Sequence, residues 1–116
     1  MKEFDQELLI DPNRGSGWRG RAEVFLKIGQ YQDCIEKATY AIQIAPDMWR
    51  NYFTRGTCYA HLGKAETAIA DLNVYIEHNP NDACAFTNRG TAYRMLGNER
   101  QALSDYRRAA EIEACD

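Results

Sequence analysis

Apolar side chains along this 116-residue chain return at three-, four- and seven-residue steps, the spacing of one helix face. Trp49, Tyr52, Tyr59 and Leu62 mark one stripe and predict a helix over residues 48–62. Ala68, Ile69, Leu72 and Ile76 mark a second, over 65–78. Gly63 lies between them, where a residue tolerant of left-handed backbone ends a helix. Pro80 stops the second stripe, and Asn81 or Asp82 is placed to cap the next helix. Loops this short leave only antiparallel neighbours.

The unit repeats. Gly29, Gly63 and Gly97 are spaced by 34 residues, and so are Pro12, Pro46 and Pro80. The aromatics Trp18, Tyr52 and Phe86 keep the same period, as do Phe25, Tyr59 and Tyr93 and the arginines Arg21, Arg55 and Arg89. Ala22, Gly56 and Gly90 hold one column small, and Cys34, Ala68 and Ala102 hold another. Small residues on facing helices let their axes approach toward the lower end of the roughly 8–10 Å range. Leu72 and Tyr106 fill the opposing site on the second helix, whereas Ala38 leaves it smaller in the first unit. A fixed period of this length signifies stacked supersecondary units.

These columns resemble the tetratricopeptide repeat. In the second unit the family's pattern falls on Tyr52, Gly56, Tyr59, Gly63, Ala68, Leu72, Tyr75 and Pro80, with Tyr75 standing where alanine is usual. In the third it falls on Phe86, Gly90, Tyr93, Gly97, Ala102, Tyr106 and Ala109, with Ala114 in place of the terminal proline. The first matches on Trp18, Ala22, Phe25, Gly29, Cys34, Ala38, Ala41 and Pro46. The resemblance implies an all-α solenoid of three antiparallel helix pairs forming a right-handed superhelix, with units at 15–48, 49–82 and 83–116. Residues 1–14 read as a short extra N-terminal helix and linker, the remnant of a preceding unit, because Phe4 precedes Ala38 and Pro12 precedes Pro46 by one period. At the other end Tyr40 and Val74 give way to Arg108, and Ile42 and Ile76 to Ala110, so the last helix presents a more wettable face, as a terminal repeat must.

Charge and composition narrow the function. The formal net charge is −3, from 14 basic and 17 acidic side chains, which gives no bulk electrostatic drive toward nucleic acid or an anionic membrane. No apolar run approaches the roughly 20 residues of a membrane span, and Met1-Lys2-Glu3-Phe4-Asp5 does not read as a secretory signal. Cys34, Cys58, Cys84 and Cys115 form no C-x-x-C pair. They read as small reduced thiols in a cytoplasmic chain.

Catalytic motifs are absent from the sequence. The stretch from Gly56 to Gly63-Lys64 superficially resembles a phosphate loop, but it is two residues too long, has Ala65 where Ser or Thr is needed, and is helical. Cys58 and His61 lie three apart on one helix and Cys84 could approach them, yet no fourth metal ligand is evident. Neither a metal, a cofactor nor an enzymatic activity is expected. In the second and third units an acid, Asp71 or Asp105, follows the column arginine sixteen residues on, which predicts an ion pair within the hairpin; Lys37 takes that place in the first.

A stack of hairpins curves so that the first helix of each unit lines a concave wall. Positions off the packing columns are Ser16, Arg19, Glu23 and Lys27, then Arg50, Phe53, Thr54, Thr57 and His61, then Cys84, Thr87, Asn88, Thr91, Arg94 and Met95. Four bases against one acid make this wall mildly basic and point to a protein or peptide partner bearing acids, since guanidinium groups bind carboxylates through paired hydrogen bonds. Phe53 and Met95 would add apolar contact. The chain is expected to act as an adaptor or scaffold, as a monomer or weak homo-oligomer. The alternatives are self-assembly through the end faces and a co-chaperone role. Co-chaperones of the family clamp acidic chaperone tails through lysine, arginine and asparagine side chains. The matching positions here are Arg19, Glu23, Thr54, Cys84 and Asn88, of which only Arg19 is compatible and Glu23 is repulsive.

Overall fold

The computed structural model describes residues 15–112 and Cys115, with side chains from Gly20 onward. Six helices follow one another: α1 (Gly15–Lys27), α2 (Tyr31–Ile44), α3 (Arg50–His61), α4 (Ala65–His78), α5 (Ala83–Met95) and α6 (Glu99–Ile112). No strand occurs among the described residues. The expected N-terminal helix lies outside them. Helices pack as hairpins α1–α2, α3–α4 and α5–α6, and α2 on α3 and α4 on α5 join successive units. First helices also touch their counterparts, α1 on α3 and α3 on α5. The result is an all-α solenoid.

Each hairpin turn is built alike. Gly29, Gly63 and Gly97 have φ of 82°, 80° and 81°. In every case two backbone bonds close the helix end. Gly63 N–H donates to Ala60 O at 3.0 Å and Lys64 N–H to Tyr59 O at 2.9 Å, with the same pairs at Gly29–Gln30 and Gly97–Asn98. This is the arrangement that satisfies the last orphan carbonyls of a helix and needs left-handed backbone. The residue after the glycine then starts the second helix, as Lys64 O accepts from Ala68 N–H at 3.0 Å.

The small columns lie where the helices cross. A Cβ on Gly56 would sit 3.1 Å from Leu72 Cγ and 3.2 Å from Ala68 O, and one on Gly90 would sit 3.0 Å from the Tyr106 ring. The first unit tolerates Ala22 because Ala38, not leucine or tyrosine, packs in the same buried cluster. The predicted hairpin ion pairs form as well. Arg55 donates to both carboxylate oxygens of Asp71 at 2.7 and 2.8 Å, and Arg89 to Asp105 at 2.9 and 2.7 Å. Each guanidinium also lies near two aromatic columns, Arg55 by Tyr52 and Tyr59, Arg89 by Phe86 and Tyr93. A third bond ties each to the preceding unit, Arg55 to Thr39 and Arg89 to Asn73.

Two expectations are corrected. Helix α3 starts at Arg50, not at residue 48; Asn51 and Tyr52 N–H donate to the Met48 and Trp49 carbonyls at three-residue steps, a tighter turn that leads into it. Asp82 does cap α5, accepting from Cys84 and Ala85 N–H. The cysteines are not free thiols. Cys34 bonds to Cys58 and Cys84 to Cys115. Cys34 on α2 and Cys58 on α3 belong to different units, and packing of those two helices brings their Cα atoms to 6.4 Å, within bridging distance.

Candidate functional site

Helices α1, α3 and α5 lie side by side as one wall of the stack, and Arg50 opens the middle helix. From the first turn of α3 the guanidinium reaches α1, α4 and the residue that caps α5. Glu23 of α1 lies 3.7 Å away, Asp82 at the head of α5 also 3.7 Å, and the Tyr75 hydroxyl of α4 accepts from it at 3.4 Å. Tyr75 in turn donates to Asp82 at 2.6 Å. The guanidinium lies 4.3 Å over the Phe53 ring, and that ring packs against Tyr75. Burial and the bond to Asp82 push the Tyr75 hydroxyl above its usual pKa, while Arg50 acts in the opposite sense.

A cleft of about 470 Å³ opens at this cluster, lined by Glu23, Met48, Trp49, Arg50, Tyr75 and Asn79. A neighbouring cavity of about 670 Å³ shares Tyr75 and Asn79 and runs on past His78, Asp82, Cys84 and Ile112. His78 is held by stacking on Trp49, ring centres 3.7 Å apart. Further along the wall, Thr57, Ala60, His61, Asn88, Thr91 and Met95 line a smaller hollow of about 240 Å³.

The structure brings the sequence-predicted residues together unevenly. Glu23, Arg50, His61, Thr87, Asn88, Thr91 and Arg94 are exposed or half-buried on this wall, and Lys27 is exposed in the last turn of α1. The side chain of Arg19 lies outside the described residues. Phe53, Thr54 and Thr57 are buried, at 8%, 1% and 8% exposure, and of the three only Thr57 reaches a hollow on the wall. Phe53 belongs to the cluster with Leu72 and Ala85 that seals units two and three together. Thr54 and Thr57 turn their hydroxyls back to the carbonyls of Arg50 and Phe53, and Thr57 accepts from Asn88. The wall is also less basic than the residue count predicts, since Asp82, outside that count, faces Arg50 as well as Glu23.

Sequence reasoning missed Trp49, Tyr75, Asn79 and Asp82 as site residues. One signal was present: Tyr75 departs from the alanine usual at its column, and its hydroxyl is what joins Arg50 to Asp82.

No group of three or more His, Cys, Asp or Glu side chains able to hold a metal occurs among the described residues, and none of the described helices is long and apolar enough to cross a membrane.

Comparison with known proteins places this architecture. Tetratricopeptide repeat profiles match residues 30–86 and 72–104. A TPR repeat-containing thioredoxin, TDX, of Arabidopsis thaliana is 32% identical over 74 residues, 64% of this chain and 20% of that protein, so the chain spans about a fifth of this relative. Among solved structures, MamA superposes with a TM-score of 0.88 at 22% identity, covering 95% of this chain and 64% of that one. The first TPR of Spaghetti (RPAP3), bound to the HSP90 peptide SRMEEVD, gives 0.83 at 24% identity over 91% of this chain and 84% of that one. With the repeat columns, the glycine turns and the hairpin ion pairs, these matches show that the chain belongs to the tetratricopeptide repeat family.

Proposed function

We propose that this chain is a non-enzymatic adaptor that holds an extended partner segment against its concave wall, with the segment's acidic residues at Arg50. The cleft around Arg50 carries this reading. The guanidinium is nearly half exposed, and its two carboxylate neighbours stand at 3.7 Å, against 2.7 Å for the hairpin pairs of Arg55 and Arg89. A ligand carboxylate able to make short paired bonds can displace such long contacts. The wall is preformed, so little ordering opposes binding. Trp49 and Met95 flank the route with apolar surface.

The test is a fluorescence titration of an acidic peptide library against the native chain and the variants Arg50→Glu and Arg94→Glu. Loss of about tenfold in affinity, roughly 1.4 kcal/mol, is expected for each. Unchanged binding would overturn the groove electrostatics.

The chaperone-tail reading suggested by the RPAP3 neighbour is disfavoured, because the matching positions are already engaged. Glu23 faces Arg50, Thr54 is buried, Cys84 is bridged and Asn88 bonds Thr57. Calorimetric titration with a chaperone tail peptide should give no binding heat. The cytoplasmic expectation rested on reduced thiols and loses that basis once all four cysteines are paired.

A further inference from the structure

Helix α6 packs on α5 alone among the described helices, so its opposite face is open. That face holds Arg100, Leu103, Ser104, Arg107, Arg108 and Glu111 around a depression of about 400 Å³; Glu111 pairs with Arg108 at 3.4 Å, which leaves Arg100 and Arg107 as the bases an incoming acid would meet. The 34-residue register shows what each position does in the interior of the stack. Leu103 corresponds to Ile35 and Ile69. Ile35 packs in the cluster that includes Cys58 of the next unit, and Ile69 in the one that includes Ala92 of the next unit. Leu103 has no next unit among the described residues and is 50% exposed.

Arg107 corresponds to Thr39 and Asn73, the two side chains that accept a bond from the next unit's arginine. An arginine accepts nothing. A further repeat of the same kind would bring its column arginine against Arg107, like charge on like. The element that covers α6 must therefore supply an apolar anchor for Leu103 and carboxylates for Arg100 and Arg107.

The chain itself contains such a segment. Residues 3–11 carry Glu3, Asp5, Glu7 and Asp11 and no base. Glu3, Glu7 and Asp11 recur at four-residue steps in the sequence, with Phe4 and Leu8 between them. Arg100 and Arg107 are two turns apart on α6, about 10.5 Å at 1.5 Å per residue. Helices α1 and α6 do not touch.

We infer that the outer face of α6 docks the acidic N-terminal segment, residues 3–11, of a second copy of this chain. The contact joins two different surfaces, so it propagates head to tail. It lies away from the Arg50 cleft, and Arg94→Glu should leave it intact.

Sedimentation velocity over a range of concentrations tests this, at low salt and at about 0.5 M salt. The weight-average mass of the native chain should rise with concentration past that of a dimer, and salt should reverse the rise. Arg100→Glu/Arg107→Glu should weaken association at least tenfold, and so should Glu3→Arg/Glu7→Arg. Mixing the two variants should restore it, because each then offers the charge the other needs. Far-UV dichroism checks that both variants stay helical, as expected for exposed side chains. A concentration-independent monomer overturns the proposal, including the case where the segment folds back onto its own chain. Association that survives the arginine reversal, or fails to return on mixing, overturns this interface.

Discussion

The guanidinium of Arg55 and the carboxylate of Asp71 meet through two parallel hydrogen bonds, sixteen residues apart in sequence and on opposite helices of one hairpin. Asp71 is 6% exposed. Its bond to Asp71 holds the arginine pKa above the ordinary value against the opposing effect of burial. Removing one partner strands the other charge in a partly buried site. Asp71→Ala should therefore cost about 3 kcal/mol in urea unfolding. Replacing both, Asp71→Leu with Arg55→Met, should cost clearly less, since no lone charge is left.

Gly56 should resist the substitution that usually stabilises a helix. Alanine is normally better than glycine by about 1 kcal/mol, but here its Cβ would stand 3.2 Å from the backbone oxygen of Ala68 and 3.1 Å from Leu72 Cγ. Gly56→Ala should lower stability by about 1–2 kcal/mol through forced separation of the helices. The first unit shows the compensation, Ala22 with Ala38. In a double-mutant cycle, Gly56→Ala with Leu72→Ala should cost less than the sum of the single changes.

The period of the sequence made the helix pairs, the glycine turns, the close crossings and the hairpin ion pairs legible, because all of them recur once per unit at a fixed offset. Helix α4 spans the predicted residues 65–78. What the period does not encode is how one unit rotates on the next. Arg50 meets Glu23 and Asp82 at separations of 27 and 32 residues, and Cys34 meets Cys58 at 24, none of which is a repeat offset. The burial of Phe53 and Thr57 has the same origin, since α5 packs on both, through Ala85 and Asn88. Asn51 was not legible at all. It is fully buried with neither amide atom hydrogen-bonded among the described residues, and the structure offers no physical account of its retention.

The two disulfides should respond differently to a reductant. Cys34 and Cys58 are fully buried between units, whereas Cys115 is exposed. A thiolate reaches the second bridge first. Alkylation with mass spectrometry during mild dithiol treatment should label Cys84 and Cys115 well before Cys34 and Cys58. The inter-unit bridge closes a segment of 24 residues, worth about 3 kcal/mol on the loop-entropy account, so Cys34→Ala/Cys58→Ala should lower the melting temperature by roughly ten degrees.

Tyr75 gives the site a signature at alkaline pH. Its pKa is raised in the folded chain, chiefly by burial and next by the bond it donates to Asp82. A raised pKa means the folded state prefers the neutral phenol. That contribution is complete below the unfolded value near 10 and is lost as pH climbs from there through the higher folded value. Urea midpoints measured from pH 8 to 11 should fall more steeply in the native chain than in Tyr75→Phe, which has no proton to lose. At pH 8 the native chain should be the more stable of the two. The phenylalanine variant should be less stable by about 1 kcal/mol, because Asp82 loses a 2.6 Å donor and Arg50 loses an acceptor. Parallel pH profiles for the two proteins would show that the Tyr75 proton contributes nothing to the stability of the fold.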